Sequence, residues 1–316
     1  MTNASPRQIE WLLFVLLGFF WGSSYLFIKI GVEAGLTPFT LITLRLFIGF
    51  LLLATVVRIA HEPLPRDRRT YGHLIVMGAV NIAIPFSLIT WAEQTTGSAL
   101  AAILTAPVPL FVIVIAAIFL RDERITINRL AGLAVGFVGV AILVGFDPAA
   151  IAGGNLAGEL ALIGATISYA CGAVYARRNI HGLRPMIPAI FQVSFALVMV
   201  ATLALITERP LELIPRMTFD AFFAVVWLGL LGSGLAYLVF FRLLGTWGAT
   251  RTSMVAYLLP VFGITLGWLV LKEPIDARLL VGTALVIGGV ALVNSKYGTR
   301  PLFRRSSASV EAAEPR

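Results

Sequence analysis

Apolar residues in this chain run in long unbroken blocks, neither alternating as in a half-buried strand nor forming the stripe of an amphipathic helix, and each block closes on a short polar stretch. The blocks fall near 10–31, 38–59, 71–92, 98–120, 127–145, 157–176, 187–206, 219–241, 248–271 and 277–295. A helix needs roughly 20 apolar residues to cross about 30 Å of hydrocarbon. The pattern therefore predicts an all-α integral membrane protein with ten transmembrane helices, and the connections are too short to hold a folded soluble domain. The first block exceeds the roughly 7–15 residues of a signal-peptide core and no A-x-A-like site follows it, so it reads as a retained helix.

Composition agrees: 59% of the 316 residues are hydrophobic and 13% charged, with a mean hydropathy of +0.92. The net charge of +8 would suggest nucleic acid in a soluble protein. Here the distribution matters more, because loops rich in Lys and Arg stay on the cytoplasmic side. With the N-terminus inside, 17 of the 24 basic residues fall in cytoplasmic segments, among them Arg58, Arg66, Arg68, Arg69, Arg121, Arg124, Arg177, Arg178 and Arg304. Lys29, Arg209, Arg216, Lys272 and Arg278 fall outside, and Arg45 and Arg251 lie within blocks. Both termini are thus expected in the cytoplasm, with the bilayer as partner and no nucleic acid. The single cysteine, Cys171, lies within a block and reads as a small packing residue.

Residues 97–145 repeat in 247–295 without a gap, at a constant offset of 150. Ala99 falls on Ala249, Ala106 on Ala256, Glu123 on Glu273, Gly132 on Gly282 and Gly139 on Gly289. A weaker match near an offset of 148 lays "WGSSYLFIK" over "YACGAVYAR". Five blocks per copy is an odd number, so the second copy enters the membrane from the opposite side. Inverted repeats mark secondary transporters, whose substrates bind near midplane where the halves meet. The expected organisation is a cytoplasmic N-terminus (1–9), a first five-helix repeat (10–145), an outer linker (146–156), a second repeat (157–295) and a disordered cytoplasmic tail (296–316).

The segments "GSALAAILTAPVPLFVIVIAAIFLRDERITINRLAGLAVGFVGVAILV" and "GATRTSMVAYLLPVFGITLGWLVLKEPIDARLLVGTALVIGGVALV" resemble EamA domains, the five-helix units of the drug/metabolite transporter superfamily. "FFWGSSYLFIKIG" is similar to that family's first span, and Pro38 followed by Arg45 to its second. The resemblance covers nearly the whole chain. It implies ten helices and transport of small metabolites, often export, in a prokaryotic inner membrane; the cargo could be amino-acid-like or another amphipathic solute. A flippase for lipid-linked cargo is compatible with it.

Pro107 and Pro109 sit near the middle of the fourth block, and Pro260 near the middle of its repeat partner, the ninth. A proline removes a backbone donor and frees a carbonyl one turn back, which survives in hydrocarbon only against protein, water or ligand. Corresponding interruptions are a pointer to a binding site. Thr105 and Tyr257 precede the breaks, and Pro85 in the third block faces "GSG" (232–234) in the eighth. At similar depth lie Trp21, Tyr25, Asn81, Ser168, Tyr169 and Tyr237, aromatic walls with a few polar handles suited to an amphipathic solute. Gly132-x-x-x-Gly136 and Ala284-x-x-x-Gly288 read as close helix packing, which assigns the fifth and tenth spans to scaffold or to a homodimer contact.

Four charges are candidates for gating. Arg45, about 10 Å below the outer edge by helical rise, is expected to snorkel outward and to serve a structural, gating or anion-binding role. Arg251 is expected to snorkel near the inner edge, and Lys29 to pair with Glu33 or Glu93. No Asp or Glu occupies the middle third of any block, and proton relays usually employ intramembrane Asp, Glu or His; transport is therefore expected to be passive or only weakly proton-coupled at the edges. An enzyme needs a nucleophile, a metal set or an acid–base pair on one face. Three scattered histidines and one cysteine supply none, so neither catalysis nor a cofactor is expected.

Overall fold

The computed structural model describes residues 6–119, 127–144, 155–180, 182–184 and 186–293, without the side chains of 6, 7, 155, 248–251 and 253. Among the described residues there is no strand, and nine helices are long and apolar enough to cross a membrane. They are α1 (Gln8–Glu33), α2 (Pro38–Ile59), α3 (Arg68–Ala92), α4 (Ser98–Phe119), α5 (Ile127–Val144), α6 (Leu156–Asn179), α7 (Met186–Thr207), α8 (Phe219–Trp247) and α9 (Met254–Leu271). A shorter apolar helix, α10 (Ala277–Val293), has 17 residues, about 26 Å by helical rise.

The helices leave the bundle at a basic end, which carries Arg58, Arg68 and Arg178, and at an acidic end, which carries Glu33, Glu93, Glu159, Glu208 and Glu273. A helix N-terminus leaves four N–H groups without intrahelical partners and favours negative charge. Several carboxylates meet that need, often from another helix. Glu208, past the end of α7, accepts from the N–H groups of Phe39 (3.0 Å) and Thr40 (2.7 Å) at the start of α2. Glu273 accepts from Ser98 (2.7 Å) and Ala99 (2.8 Å) at the start of α4. Asp276 caps α10 through Leu279 (2.7 Å), and Asp67 caps α3 at the basic end through Arg69 and Thr70. Those backbone donors hold the exposed Asp67 carboxyl below its ordinary value.

Side-by-side packing has a two-fold pattern. The contact of α1 with α9 is matched by that of α6 with α4, α3 with α6 by α8 with α1, and α2 with α8 by α7 with α3. The pairs α2–α7, α4–α9 and α5–α10 map onto themselves. Exchanging the first five helices for the second five thus returns the same principal neighbours.

The closest of these contacts joins α5 to α10 through glycine. A Cβ on Gly289 would lie 2.6 Å from the Gly136 nitrogen and 2.7 Å from the Gly132 oxygen, and one on Gly139 would lie 2.8 Å from the Val286 nitrogen. The expected Gly132-x-x-x-Gly136 face is in this contact; Ala284-x-x-x-Gly288 is not. Both of those residues are exposed, and α10 presents Gly282 and Gly289 instead. Spacing alone does not say which of two small-residue faces on a helix turns inward. Arg278 fastens the same pair at the acidic end, donating to the Ile142 carbonyl (3.1 Å), to that of Leu143 and to Glu159 (3.3 Å).

Gly289→Val puts side-chain carbon where backbone now lies, and overpacking of this kind costs about 1–3 kcal/mol. The purified variant should melt several degrees below wild type in detergent. Gly288→Ala, with nothing within 4 Å of its Cβ, should melt as wild type does.

Candidate functional site

Helical geometry fails at four places, and they correspond in pairs. A π-helical segment occupies Ala79–Ala83 in α3 and another Leu228–Leu235 in its repeat partner α8. A break at Ala106 and Pro107 divides α4 into Ser98–Thr105 and Val108–Phe119. Its counterpart in α9 is the 3₁₀ turn Met254–Tyr257, which an offset of 150 overlays on it. The break in α9 thus comes before Pro260, not at it. Pro109 and Pro260 lie in the first turn of the helix that follows each break, where a missing N–H costs nothing because that donor has no intrahelical partner.

The irregular segments of α3 and α4 are each met by a hydroxyl from α6. Thr166 lies 3.0 Å from the Leu104 carbonyl beside the α4 break and 2.8 Å from the Leu162 carbonyl of its own helix, so its one proton is shared between them. Ser168, two residues further on, donates to the Val80 carbonyl inside the π segment of α3 (2.6 Å). The hydroxyl of Thr105 instead serves its own helix, donating to Ala101 and Ala102 (2.9 and 3.1 Å). With that proton committed, the Tyr25 hydroxyl is the donor in its 2.5 Å contact with Thr105. The break in α4 is therefore sealed by α6 and α1.

Two longer side chains cross between the repeats. Arg45 of α2 reaches the π segment of α8, donating from Nε to Ser233 (3.2 Å) with its guanidinium 4.3 Å over the Phe86 ring of α3. Gln192 of α7 reaches the π segment of α3 and accepts from the Asn81 amide (2.9 Å). Since α7 begins 148 residues after α2, the repeat position of Arg45 is 193, next to Gln192. The two contacts are the same device used twice. Arg45 is 3% exposed, which corrects the expectation of an outward-snorkelling side chain. It forms no ion pair among the described residues.

Around Arg45 the structure gathers much of the predicted set. The hydroxyls of Tyr169, Tyr237 and Tyr25, from α6, α8 and α1, and the carboxyl of Glu93 all lie within electrostatic reach of its guanidinium. Trp21 stands edge-on to Tyr237, ring centroids 6.4 Å apart, and beside Phe240 at 5.5 Å; Tyr237 stacks on Phe241 at 6.2 Å. Tyr169 and Tyr237 are partly exposed. Tyr257 goes elsewhere, packing with Leu110, Leu133, Phe137 and Val293 on α4, α5 and α10. Pro107 is buried at the break. Sequence reasoning missed Gln192, Ser233, Thr166 and Phe86; only Ser233 carried a signal, through the "GSG" beside it.

Lys29 sits at the acidic end, 3.5 Å from the Glu33 carboxylate. It meets Glu93 only through the backbone, donating to that residue's carbonyl (2.8 Å). The backbone of Arg251 is helical, and its side chain lies outside the described residues.

Comparison with known proteins adds identity to this geometry. The EamA-like transporter family matches residues 8–145 and again 156–295. The chain is 26% identical to the uncharacterised transporter YoaV of Bacillus subtilis, over 89% of this chain and 94% of YoaV. It is 29% identical to the uncharacterised inner membrane transporter YedA of Escherichia coli K12, over 88% of each. A WAT1-related chloroplastic protein of Arabidopsis thaliana is 25% identical over 94% of this chain and 72% of that protein. A solved crystal structure superposes with a TM-score of 0.63 at 21% identity, covering 90% of this chain and 96% of its own, a likeness of fold.

The Asn81–Gln192 bond gives a test that separates a polar pair from packing. Losing one partner of a buried hydrogen bond costs about 1–3 kcal/mol because the other is left unsatisfied, whereas replacing both by apolar groups can be nearly neutral. Gln192→Leu should lower the melting temperature in detergent, and Asn81→Leu combined with Gln192→Leu should restore most of the loss.

Proposed function

The chain belongs to the EamA-like transporter family, and on that premise we propose that it is a secondary transporter of small amphipathic solutes bearing a carboxylate, amino-acid-like in size. It is an integral membrane protein. In this reading α10 crosses the bilayer with the nine longer helices, so that two five-helix repeats face opposite ways with both termini in the cytoplasm, the membrane is a prokaryotic inner membrane and the net direction is export.

The observation that carries the reading is Arg45. It is a guanidinium buried where the repeats meet, held by one hydroxyl and one ring, without a carboxylate partner of its own among the described residues. Burying an unpaired charge is costly, and this one has donors left over once Nε is spent on Ser233. A solute carboxylate supplies the missing counter-charge in bidentate form, while Tyr25, Tyr169, Tyr237 and Trp21 supply apolar faces and hydroxyls for the remainder of the molecule.

Alternating access follows from the paired irregularities. Each repeat has one π segment and one break at the same places, so bending one set opens one end and bending the other set opens the other. Matched π segments concentrate hinge motion where the polar contacts already lie.

The test is solute counterflow in proteoliposomes across amino acids, nucleobases and aromatic amines, with no imposed gradient. We expect a carboxylate-bearing aromatic or aliphatic amino acid to exchange. Arg45→Gln should weaken its apparent affinity at least tenfold, about 1.4 kcal/mol, and Tyr257→Phe should leave it unchanged. Exchange of a cationic amine at rates that ignore Arg45→Gln would overturn the reading.

A further inference from the structure

Several carboxylates of the acidic end have a donor or a cation; Glu93 does not. It is 0% exposed, and neither carboxylate oxygen has a hydrogen-bonding partner among the described residues. The neighbouring hydroxyls of Thr90, Thr96 and Ser98 are likewise buried and unpartnered. Glu93 is also the residue that ends α3. There the helix presents carbonyl oxygens and the negative pole of its dipole, the reverse of the setting in which Glu208 and Glu273 cap N-termini.

The groups facing it come from several elements. Lys29 of α1 is near, yet its ammonium is placed on the Glu93 backbone carbonyl and on Glu33. Tyr25 of α1, Arg45 of α2 and Glu273 after α9 act on it through space. On α6, which packs along α3, Glu159 is engaged by Arg278. None of these gives the carboxylate a hydrogen bond.

We propose that Glu93 is a proton-binding site that couples protonation to opening of the acidic end, so that pH sets how readily that end opens. The inference rests on the alternating-access reading above and adds a pH-dependent step to it. With the acidic end closed, Glu93 is a neutral carboxylic acid. Opening admits water, the O–H bond breaks, the proton leaves to that water, and the carboxylate left behind takes up the Lys29 ammonium, which already touches the same residue. Closure requires the proton back. A solute carboxylate arriving at Arg45 removes the positive charge that helps ionise Glu93, so solute binding and proton retention favour one another across α2 and α3.

The sign is fixed by the closed state. Burial pushes the Glu93 carboxyl well above its ordinary value; Lys29 pulls it down, Glu273 pushes it up and Arg45 pulls it down. The closed form is therefore favoured at low pH and loses its advantage as pH rises above the ordinary carboxylate range, by up to about tenfold per pH unit for one proton.

Two measurements on the purified full-length protein test this without knowledge of the solute. Infrared difference spectra across a pH titration should show a buried carboxylic acid at neutral pH that Glu93→Gln lacks. In a Cys171→Ser background, maleimide labelling of Thr96→Cys, normalised to the exposed Gln94→Cys, should rise several-fold between acid and alkaline pH. Adding Glu93→Gln should abolish the rise, and Lys29→Gln should move its midpoint upward. An unchanged pH profile with Glu93→Gln, or a spectrum with no acid band assignable to Glu93, overturns the proposal. So does labelling that follows sodium and ignores pH. If the titration behaves as expected but no solute exchanges in the counterflow screen, the cargo reading fails and the proton site stands.

Discussion

The architecture depends on polar side chains that each repeat lends to the other. A π segment inside a membrane helix loosens the regular backbone ladder, and an unsatisfied carbonyl or amide in hydrocarbon costs several kcal/mol. In α3 and α8 the loosened turns are met from outside their own helices, by Ser168 and Gln192 in one case and by Arg45 in the other. Gln192 and Ser168 belong to the second repeat and serve the first; Arg45 belongs to the first and serves the second. One backbone carbonyl, that of Val80, and two side chains, Asn81 and Ser233, thus take a partner from the other repeat. That explains how two similar five-helix units form one bundle, and it places the softest backbone where the halves touch.

The same arrangement says how motion is confined. The α5–α10 pair is locked by backbone-to-backbone contact at Gly132, Gly136, Gly139 and Gly289, which leaves no slack. The π segments and breaks lie in α3, α4, α8 and α9. Close-packed helices resist deformation and irregular ones accept it, so in the alternating-access reading proposed above α5 and α10 are the frame and the four interrupted helices bend.

Much of this was legible in the sequence. Block length gave the helices, and the constant offset of 150 gave both the duplication and the correspondence of the breaks. Tyr25, Tyr169, Tyr237 and Asn81 were named from depth and chemistry alone, and the first three lie within electrostatic reach of Arg45. Other features were hidden for physical reasons. Proline marks where a helix may restart as readily as where it stops, which is why Pro260 pointed a turn beyond the real break. Gln192 lies in an oily run, one residue before the repeat position of Arg45, so no identity flagged it. The inward phase of α10 depends on its neighbour and is not written in the spacing of Ala284 and Gly288. The burial of Arg45 was missed because a long side chain near an edge has two destinations, and only the position of Ser233 selects between them.

Depth in the membrane alone does not tell the acidic residues apart. Carboxylates near a helix end look interchangeable in sequence, all of them outside the middle third of their spans. What separates them is which helix end their carboxylates reach. Glu208 and Glu273 follow the ends of α7 and α9 but reach the N-termini of α2 and α4, where backbone donors hold their carboxylates. At the C-terminus of α3, the buried Glu93 carboxyl has no hydrogen-bonding partner among the described residues, and the Lys29 ammonium is placed on its backbone carbonyl instead. Helix polarity thus turns one residue type into two components, a fixed rivet and a group whose charge follows the conformation. A chain without a carboxylate at its centre can still tie proton movement to its cycle by placing one under the lid.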